Sequence, residues 1–357
     1  MIKIAIVAKD LALHGISSVI MNYAERIDKS NFELTIFAGS KIDDFYKEKC
    51  KKNGIRIIEL PSKDNKFKYF KSLYKQMKKS YYDILHVHGN SSAMTIEMII
   101  GKIKKINIRI AHCHNTQKNS IVKKFLKIVF NKTYTNAFAC GDLAGKNLFG
   151  KNDFYLMRNG IDTNKYRFND SIRNNIRNEL NISDKIVLGH IGRFNTQKNH
   201  TFLLDIFEKV ACESDDYVLL LVGDGADFNK IKERIDNSKY KDRIILYGET
   251  NTPEILYLAM DLFVFPSLYE GLPLTLIEAQ VSGLKCFISD TITKEVILSN
   301  QVKSLPINDS NLWKDEILSS KICEDREKFY TLNIEKINKY NIDKCVKELE
   351  EKYKSLV

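Results

Sequence analysis

The apolar residues of this chain fall into short runs, separated by longer segments that have the spacing of amphipathic helices. In the first half, the runs predict buried strands at residues 2–7, 34–38, 55–60, 84–87, 108–112 and 137–140. The segments around them predict helices at residues 16–28, 41–52, 66–80, 91–105, 118–131 and 142–149. Strands that alternate with helices are typical of βαβ units, which build a parallel sheet covered by helices on both faces.

The same pattern restarts after a polar stretch at residues 159–184, which holds one short predicted helix at 170–180. Further strands are predicted at 186–191, 218–222, 244–246, 262–265 and 286–289. Further helices are predicted at 199–213, 226–237, 252–259, 273–282 and 293–299. In open sheets of this class, ligands bind at the carboxyl ends of the strands.

The predicted fold class is therefore α/β, with two doubly wound Rossmann-like domains that face a central cleft. The first domain is predicted at residues 1–165 and the second at 166–335. The charged tail, residues 336–357, is predicted to form a helix that crosses back to the first domain. A chain of 357 residues is long for one hydrophobic core and sufficient for two.

Composition narrows the class of protein. Hydrophobic residues make up 44% and charged residues 28%, as in an ordinary globular protein, and no apolar run reaches membrane-spanning length. The first residues predict a strand and not a secretion signal. The seven cysteines are scattered and never form C-x-x-C, which disfavours a disulfide framework or a zinc site and indicates a reducing cytosol.

The positive charge is concentrated in the first part of the chain. Residues 1–160 hold 29 Lys and Arg against 13 Asp and Glu, a net +16, whereas the whole chain carries +11 and the remainder −5. Such asymmetry suggests contact with a polyanion or an anionic membrane, and no nucleic-acid-binding motif is present. Biased codon usage would explain the richness in lysine but not the asymmetry. Basic amphipathic segments at 63–79 and 118–132 fit a bilayer surface, or else solvated helices with an apolar side in the core.

Two carboxylates, Glu270 and Glu278, flank Pro273 at the predicted start of a helix. Proline is favoured at the first helical position, and the next amides, those of Leu274, Thr275 and Leu276, then lack partners within the helix. Together with the helix dipole, these amides predict a phosphate site. In the alternative interpretation, Ser267 and Glu270 form a capping box and Glu278 is a solvated helix residue.

Three more groups follow predicted strands. Arg193 and Lys198 leave one strand end and would clamp adjacent phosphates, although surface cations are common. The glycines of Gly223-Asp-Gly225 permit close backbone approach, or only a strand-to-helix turn. Gly15 opens the first helix, where its backbone would admit a diphosphate or form a simple turn.

Histidines follow two strands of the first domain. His112 and His114 are two residues apart on an extended chain, so their side chains point the same way. No third metal ligand is evident, and a sugar hydroxyl is the more plausible partner. His86 and His88 end the previous strand and either line the same wall or are structural.

Taken together, these pieces resemble a retaining glycosyltransferase of the GT-B fold, specifically family 4, in its bacterial capsule and exopolysaccharide branch. The resemblance covers nearly the whole chain and rests on motifs that occur in the family's order. These are Gly15, His112-Cys-His114-Asn, Arg158-Asn-Gly-Ile-Asp162, Gly192-Arg193, Lys198, Gly223-Asp-Gly225, and Pro266-Ser…Glu270-Gly-Leu-Pro…Glu278-Ala. In one departure, His14 stands where the family usually has the first of two glycines, which could alter the contact with acceptor or diphosphate.

The resemblance implies roles for the donor site. Arg193 and Lys198 would hold the diphosphate and stabilise the leaving group, and the amides near Leu274 and Thr275 would meet the distal phosphate. Glu278 would bond the ribose. Further roles are implied for Glu270 at the donor sugar, His114 (less so His112) at the sugar's primary hydroxyl, Gly15 at the diphosphate and acceptor, Gly223 in the donor site, and Tyr247 beside the base.

The expected reaction is metal-independent transfer from a nucleotide-diphosphate sugar, with UDP as the expected nucleotide, to a growing surface polysaccharide. We expect no cofactor besides the donor, no metal and no nucleic acid partner. The expected acceptor is a saccharide on polyprenyl diphosphate, and the expected location is the cytoplasm with peripheral contact to the inner face of the cell membrane. Alternatives are a nucleotide-sugar epimerase or hydrolase on the same fold, for which no further acid/base carboxylates are evident, and a non-catalytic interaction protein.

Overall fold

The computed structural model describes residues 1–40, 42–115, 121–322 and 325–357, and within these it leaves the side chains of 121–125 undescribed. The chain divides into two compact units. The first unit comprises residues 1–161 and 339–357, and the second comprises residues 162–338. The predicted ligand roles of the two domains stay predictions.

The first unit contains a seven-stranded parallel sheet. Its strands are β1 (Ile2–Ala8), β2 (Phe32–Gly39), β3 (Arg56–Leu60), β4 (Ile84–Gly89), β5 (Ile108–Cys113), β6 (Asn136–Ala139) and β7 (Tyr155–Leu156). They lie in the order β3-β2-β1-β4-β5-β6-β7. The helices between them are α1 (Gly15–Arg26), α2 (Asp44–Lys52), α3 (Lys66–Met77), α4 (Thr95–Ile103), α5 (Ile121–Asn131) and α6 (Asp142–Phe149). Consecutive residues of β1, such as Ile4 and Ala5, are fully buried, because helices cover both faces of the sheet.

The second unit repeats this architecture with six parallel strands. These are β8 (Ile186–Ile191), β9 (Tyr217–Val222), β10 (Ile244–Gly248), β11 (Leu262–Phe265), β12 (Lys285–Ser289) and β13 (Val302–Leu305), in the order β10-β9-β8-β11-β12-β13. The helices are α7 (Asp170–Glu179), α8 (His200–Glu213), α9 (Phe228–Asp236), α10 (Pro253–Ala259), α11 (Leu274–Val281), α12 (Ser310–Leu318), α13 (Arg326–Leu332) and α14 (Ile334–Ile337). The predicted fold class, two doubly wound Rossmann-like units, is confirmed.

The chain ends in a helix, α15 (Ile342–Leu356), that packs on the first unit. Its buried residues recur at helical spacing and include Ile342, Cys345, Leu349 and Tyr353. The contact is close: a Cβ added to Gly160 would lie 2.7 Å from Cδ1 of Ile342. The predicted return of the C-terminal helix is therefore confirmed.

Some elements differ from the prediction. Three elements, β7, β13 and α12, were not predicted. β7 has only two residues, and β13 exposes Lys303 and Ser304 at the edge of its sheet, so neither strand has a continuous apolar run. The predicted helix at 293–299 is only a short 3₁₀ turn at 294–296. The buried Gln280 holds this segment, because its side chain bonds Val296 O and the amide of Leu298, each at 2.8 Å. The predicted helical residues 118–120 lie outside the described residues.

Candidate functional site

A buried ion pair lies near the carboxyl ends of the second sheet. Nζ of Lys198 is 2.8 Å from Oε1 of Glu270, and the two side chains are 13% and 8% exposed. Nε2 of Gln197 donates to Oε2 of the same carboxylate, at 3.0 Å. The Lys198 ammonium also lies 4.4 Å from the ring centre of Phe265. The structure thus joins two residues that are 72 positions apart and adds Gln197, which no sequence motif indicated.

Two glycine-containing loops hold the segment that carries Arg193. Gly223 has φ +133°, and a Cβ there would lie 2.2 Å from the carbonyl oxygen of Gly192. The amide of Phe194 donates to Asp224 O at 2.9 Å. The glycines of the Gly223-Asp-Gly225 segment are therefore required by packing of backbone against backbone, which is more than the simple turn of the alternative interpretation. Ligand contact by Gly223 stays a prediction.

Arg193 differs from Lys198 in its environment. Its side chain belongs to an exposed residue and makes no ion pair or hydrogen bond with any described residue. The predicted clamp of Arg193 and Lys198 around adjacent phosphates therefore stays a prediction. The structure shows one cation neutralised by Glu270 and another that is free to meet an anion.

The start of α11 differs from the prediction by one position. Pro273 is the N-cap, with ψ 112°, and the helix begins at Leu274. The amide of Leu276 donates to Pro273 O at 3.3 Å, so the prediction that it lacks a partner was wrong. Within the described chain, the amides of Leu274 and Thr275 make no hydrogen bond, and the buried Oγ1 of Thr275 is also unpaired. The anion site predicted here therefore has two open amides and one hydroxyl.

The capping-box alternative is wrong. Glu270 binds Lys198 and Gln197, four positions before the helix begins, and Oγ of Ser267 has no hydrogen-bond partner among the described residues. Glu270 is thus held as part of the site and not as a helix cap.

Glu278 is buried between two tyrosines. Oε2 accepts a hydrogen bond from Tyr257 Oη at 2.8 Å, and Oε1 accepts one from Tyr166 Oη at 3.0 Å. Burial raises the pKa of Glu278 to about 7, although both tyrosine hydroxyls and the charge of Lys198 favour the carboxylate. The solvated-residue alternative is therefore wrong. Sequence reasoning missed both tyrosines, since Tyr257 has the spacing of a core residue and Tyr166 lies in the polar stretch.

Tyr247, predicted beside the base, lies half-buried at the end of β10. The next residue, Gly248, has φ +85°, and its carbonyl accepts a hydrogen bond from the amide of Gly223 at 2.8 Å. The ends of β9 and β10 are thus tied together, which fixes Tyr247 relative to the glycine loop.

In the first unit, Gly15 begins α1 and His14 is its N-cap. Nε2 of His14 bonds Oδ1 of Asp10, so the residue that departs from the family pattern is held within the loop. A Cβ added to Gly15 would meet no described atom within 4 Å, and Gly15 is not among the glycines with positive φ. Neither packing nor backbone conformation of the described chain requires glycine here, and the ligand contact of Gly15 stays a prediction.

Four buried histidines form a cluster on the first sheet. His86 and His88 come from β4, His112 from β5 and His114 from the residue after it, and His88 pairs with His112 in register. His114 is 7% exposed and His112 is fully buried, so His114 is the more accessible of the two predicted candidates. Burial lowers the pKa of both His86 and His114 to about 3 and those of the other two well below their usual value, so all four are neutral near pH 7.

The fold is shared with known structures. The crystal structure of Anabaena HepE in complex with UDP and glucose superposes with a TM-score of 0.83, at 15% identity, over 99% of this chain and 100% of that one. At this identity the likeness defines the fold alone, which is the GT-B fold of two Rossmann-like units.

Sequence comparisons show similarity to glycosyltransferases. Residues 172–324, in the second unit, match the family model of glycosyl transferases group 1. The UDP-Gal:alpha-D-GlcNAc-diphosphoundecaprenol alpha-1,3-galactosyltransferase of Escherichia coli is 25% identical over 100% of this chain and 97% of its own. The capsular polysaccharide biosynthesis glycosyltransferase CapH of Staphylococcus aureus is 27% identical over 91% of each chain. The fold and these matches support a glycosyltransferase of the GT-B fold, and the segment that matches the group 1 model lies in the second unit.

Proposed function

We propose that this chain is a retaining, metal-independent glycosyltransferase of family 4. It would move a sugar from a nucleotide-diphosphate sugar, with UDP as the nucleotide, to a lipid-linked acceptor in surface polysaccharide synthesis. The observation that carries the proposal is the combination of the Lys198–Glu270 pair, the open amides of α11 and the buried Glu278 within one unit. Each of these groups suits a different part of a nucleotide-sugar.

The leaving diphosphate gains negative charge as the glycosidic bond breaks. In our proposal, Lys198, the free Arg193 and the amides of Leu274 and Thr275 meet that charge, and groups held in place for a developing charge lower the barrier. Glu278 bonds the ribose, and Glu270 contacts the donor sugar. These cations and amides make a metal unnecessary for the transfer step.

The proposed stereochemistry follows from the state of the carboxylates. Glu270 is paired with Lys198, and Glu278 is enclosed by two tyrosines, so neither is a free nucleophile. We therefore propose attack on the face from which the diphosphate departs, with the departing phosphate oxygen taking the proton of the acceptor hydroxyl. The anomeric configuration is then retained.

The relatives support the proposed substrates. The Escherichia coli relative is named for UDP-galactose and a diphosphoundecaprenol-linked sugar, and CapH is named for capsular polysaccharide synthesis. The HepE structure contains UDP and glucose. By analogy we propose a UDP-sugar donor, a polyprenyl-diphosphate-linked saccharide acceptor, and a location at the cytoplasmic side of the cell membrane. His114 and Gly15 keep their predicted roles as first-unit contacts to sugar and acceptor.

A turnover assay with a panel of nucleotide-sugars tests this function. We expect a UDP-sugar to raise the melting temperature, since a ligand that binds only the folded state stabilises it. We also expect nucleotide release to depend on a saccharide acceptor and the product to keep the anomeric configuration of the donor. Nucleotide release at the same rate with and without acceptor would indicate a hydrolase. An isomerised donor would indicate an epimerase, and binding without turnover would indicate a non-catalytic protein.

Peripheral membrane contact is a further part of the proposal. No helix in the described ranges is long and apolar enough to cross a membrane. In α3 the residues Tyr69, Leu73 and Met77 are buried, so that stripe packs in the core and is not available to lipid. On the opposite side of the segment, Phe67 is 77% exposed. The same side exposes four lysines, Lys71, Lys75, Lys78 and Lys79. The side chains of Lys123 and Lys124 lie outside the described residues.

We expect vesicle flotation to require anionic lipid and to weaken as salt rises. Each basic residue near an anionic surface contributes roughly 1 kcal/mol, and salt screens that attraction. Replacing the four exposed lysines by glutamine should reduce flotation and leave turnover of a soluble acceptor unchanged. Lys230 and Lys232 of α9 provide a control, since their replacement removes charge from the other unit. Equal recovery with neutral and anionic lipid would contradict the membrane proposal.

A further inference from the structure

The histidine cluster of the first unit contains the arrangement of a metal site. Of the described His, Cys, Asp and Glu residues, His86, His88 and His112 form a group whose candidate ligand atoms all lie within 4.8 Å of one another. They come from two adjacent strands, β4 and β5, and His86 and His88 lie on the same face of β4 because two residues separate them. No third metal ligand is evident in the sequence around His112 and His114. In the structure, the neighbouring strand β4 places His86 and His88 beside His112.

The hydrogen bonds around the cluster are those that metal-binding histidines use. A ligating histidine usually donates its other ring N–H to a second group, which fixes the ring and its tautomer. Nδ1 of His86 lies 2.6 Å from Tyr353 Oη, and Nδ1 of His88 lies 2.8 Å from Nε2 of His114. Both residues therefore have an anchored Nδ1, which leaves Nε2 to point into the cluster. Nε2 of His86 and Nδ1 of His112 form a hydrogen bond of 3.1 Å with each other. This separation is close to the roughly 3.3 Å between two nitrogens on one tetrahedral zinc ion, so an ion bound here would take the place of that hydrogen bond.

The cluster also contains unsatisfied nitrogens. Nε2 of His112, a fully buried residue, has no hydrogen-bond partner in the described part of the chain, and the same holds for Nδ1 of His114. A buried polar atom without a partner costs free energy, so the hydrogen bonds among the described residues do not fully satisfy this cluster. Imidazole nitrogens are ligands that suit a divalent transition metal.

We propose that His86, His88 and His112 bind one divalent transition metal ion of the zinc class, with His114 and Tyr353 as hydrogen-bonding partners of the ligands. Three protein ligands leave the fourth position of a tetrahedral ion open. Because Tyr353 belongs to α15, the ion would also link the C-terminal helix to the first sheet. This site belongs to the first unit and the Lys198–Glu270 pair to the second. The ion would act by holding the histidines in place, His114 included, and the proposed transfer step itself would still use no metal.

Metal titration of the full chain, first stripped with chelator, tests the proposal. We expect one Zn²⁺ or Co²⁺ per chain, a Co²⁺ absorption spectrum with nitrogen ligands in four-coordinate geometry, and a higher melting temperature with the ion. His88→Gln and His112→Gln should weaken binding at least 10²-fold. His200→Gln is the matched control, since His200 is a buried histidine of the second unit, and it should bind as the wild type does.

Tyr353→Phe keeps every ligand and removes only the hydroxyl that bonds His86. We expect it to bind one ion with affinity lower by about 10- to 100-fold, the usual effect of losing such a partner. Absence of stoichiometric binding by the wild type would overturn the proposal, and so would unchanged affinity in His88→Gln. Should the histidine variants not fold, equal affinity of wild type and Tyr353→Phe would overturn it as well.

Discussion

Replacing Lys198 by alanine should lower the rate of sugar transfer by about 10²-fold or more. Removal of one group that stabilises developing charge in an enclosed site has an effect of this size. Lys198 lies in such an enclosed site, because its side chain is only 13% exposed and packs along Gly192 and the ring of Phe265. The loss should lie mainly in kcat, since the diphosphate carries most charge as it leaves.

A second effect of this variant is structural. Alanine at 198 leaves the Glu270 carboxylate, 8% exposed, without its ammonium partner, although Gln197 still donates to it. A decrease in melting temperature is therefore expected as well, and rates must be compared below it. Arg193→Ala separates the two effects, because the exposed Arg193 makes no described ion pair and its loss should lower transfer without destabilising the fold.

Controls for this prediction are available in the same unit. Lys230→Ala removes an exposed cation of α9 and should retain wild-type turnover. EDTA should also leave turnover in place, since the proposed charge stabilisation uses only side chains and amides. The assays are run below the melting temperature of the chelator-treated chain, because the ion proposed for the histidine cluster would also be removed. Activity that is then lost in EDTA and restored by a divalent ion in wild type and in His88→Gln alike would refute the metal-free step, and full turnover of Lys198→Ala would refute the assigned role of Lys198.

Glu270→Gln and Glu278→Gln should each impair transfer while the fold stays intact. Hydrogen bonds to charged groups contribute roughly 1.5–3 kcal/mol, so we expect donor affinity or rate to decrease by about 10- to 100-fold. For Glu278 the loss should appear in donor affinity, since the carboxylate is proposed to bond the ribose. Glu249→Gln, at an exposed position of the same unit, is the control. Wild-type turnover in both variants would contradict the proposed site.

The raised pKa of Glu278 adds a pH dependence to this prediction. The folded carboxyl titrates near pH 7 and the unfolded one near its ordinary value of 4.5, so the folded state holds the proton more tightly. The contribution of the protonated Glu278 to the free energy of unfolding is therefore fully present below pH 4.5 and is lost as the pH rises through 7. The loss is roughly 3 kcal/mol at most. Unfolding of the Glu278→Gln variant, measured from about pH 5 to 8, should lack this component of the pH dependence.

Much of the architecture could be predicted because the hydrophobic pattern is local. Parallel strands that are buried on both faces produce continuous apolar runs, as at residues 218–222 of β9, and these are distinct from the surrounding helical spacing. Short or exposed elements lack that pattern, which explains why β7 and β13 were missed. The sequence around α12 does contain a helix signal, with Asp309 as N-cap and Trp313 and Ile317 four residues apart on the buried side.

The candidate site was only partly accessible to sequence reasoning. Motif residues such as Lys198, Glu270 and Glu278 were identified, but their partners were not. Tyr166 lies 112 positions from Glu278, and no local pattern records such a pairing. The first helical residue was also misjudged, because Pro273 is compatible with both the N-cap and the first position of a helix.

The two-unit α/β fold, the strand ends at which the candidate residues lie, and the resemblance to a glycosyltransferase could all be inferred from the linear sequence. These properties depend on short-range spacing, which a linear pattern records directly. The three-dimensional structure was needed to show that Lys198 is neutralised by Glu270 and that Glu278 is enclosed by Tyr166 and Tyr257. It was also needed to show that histidines of two strands form one cluster. Pairing, burial and the resulting pKa shifts depend on distances between residues far apart in the chain, and those distances exist only once the sheets are assembled.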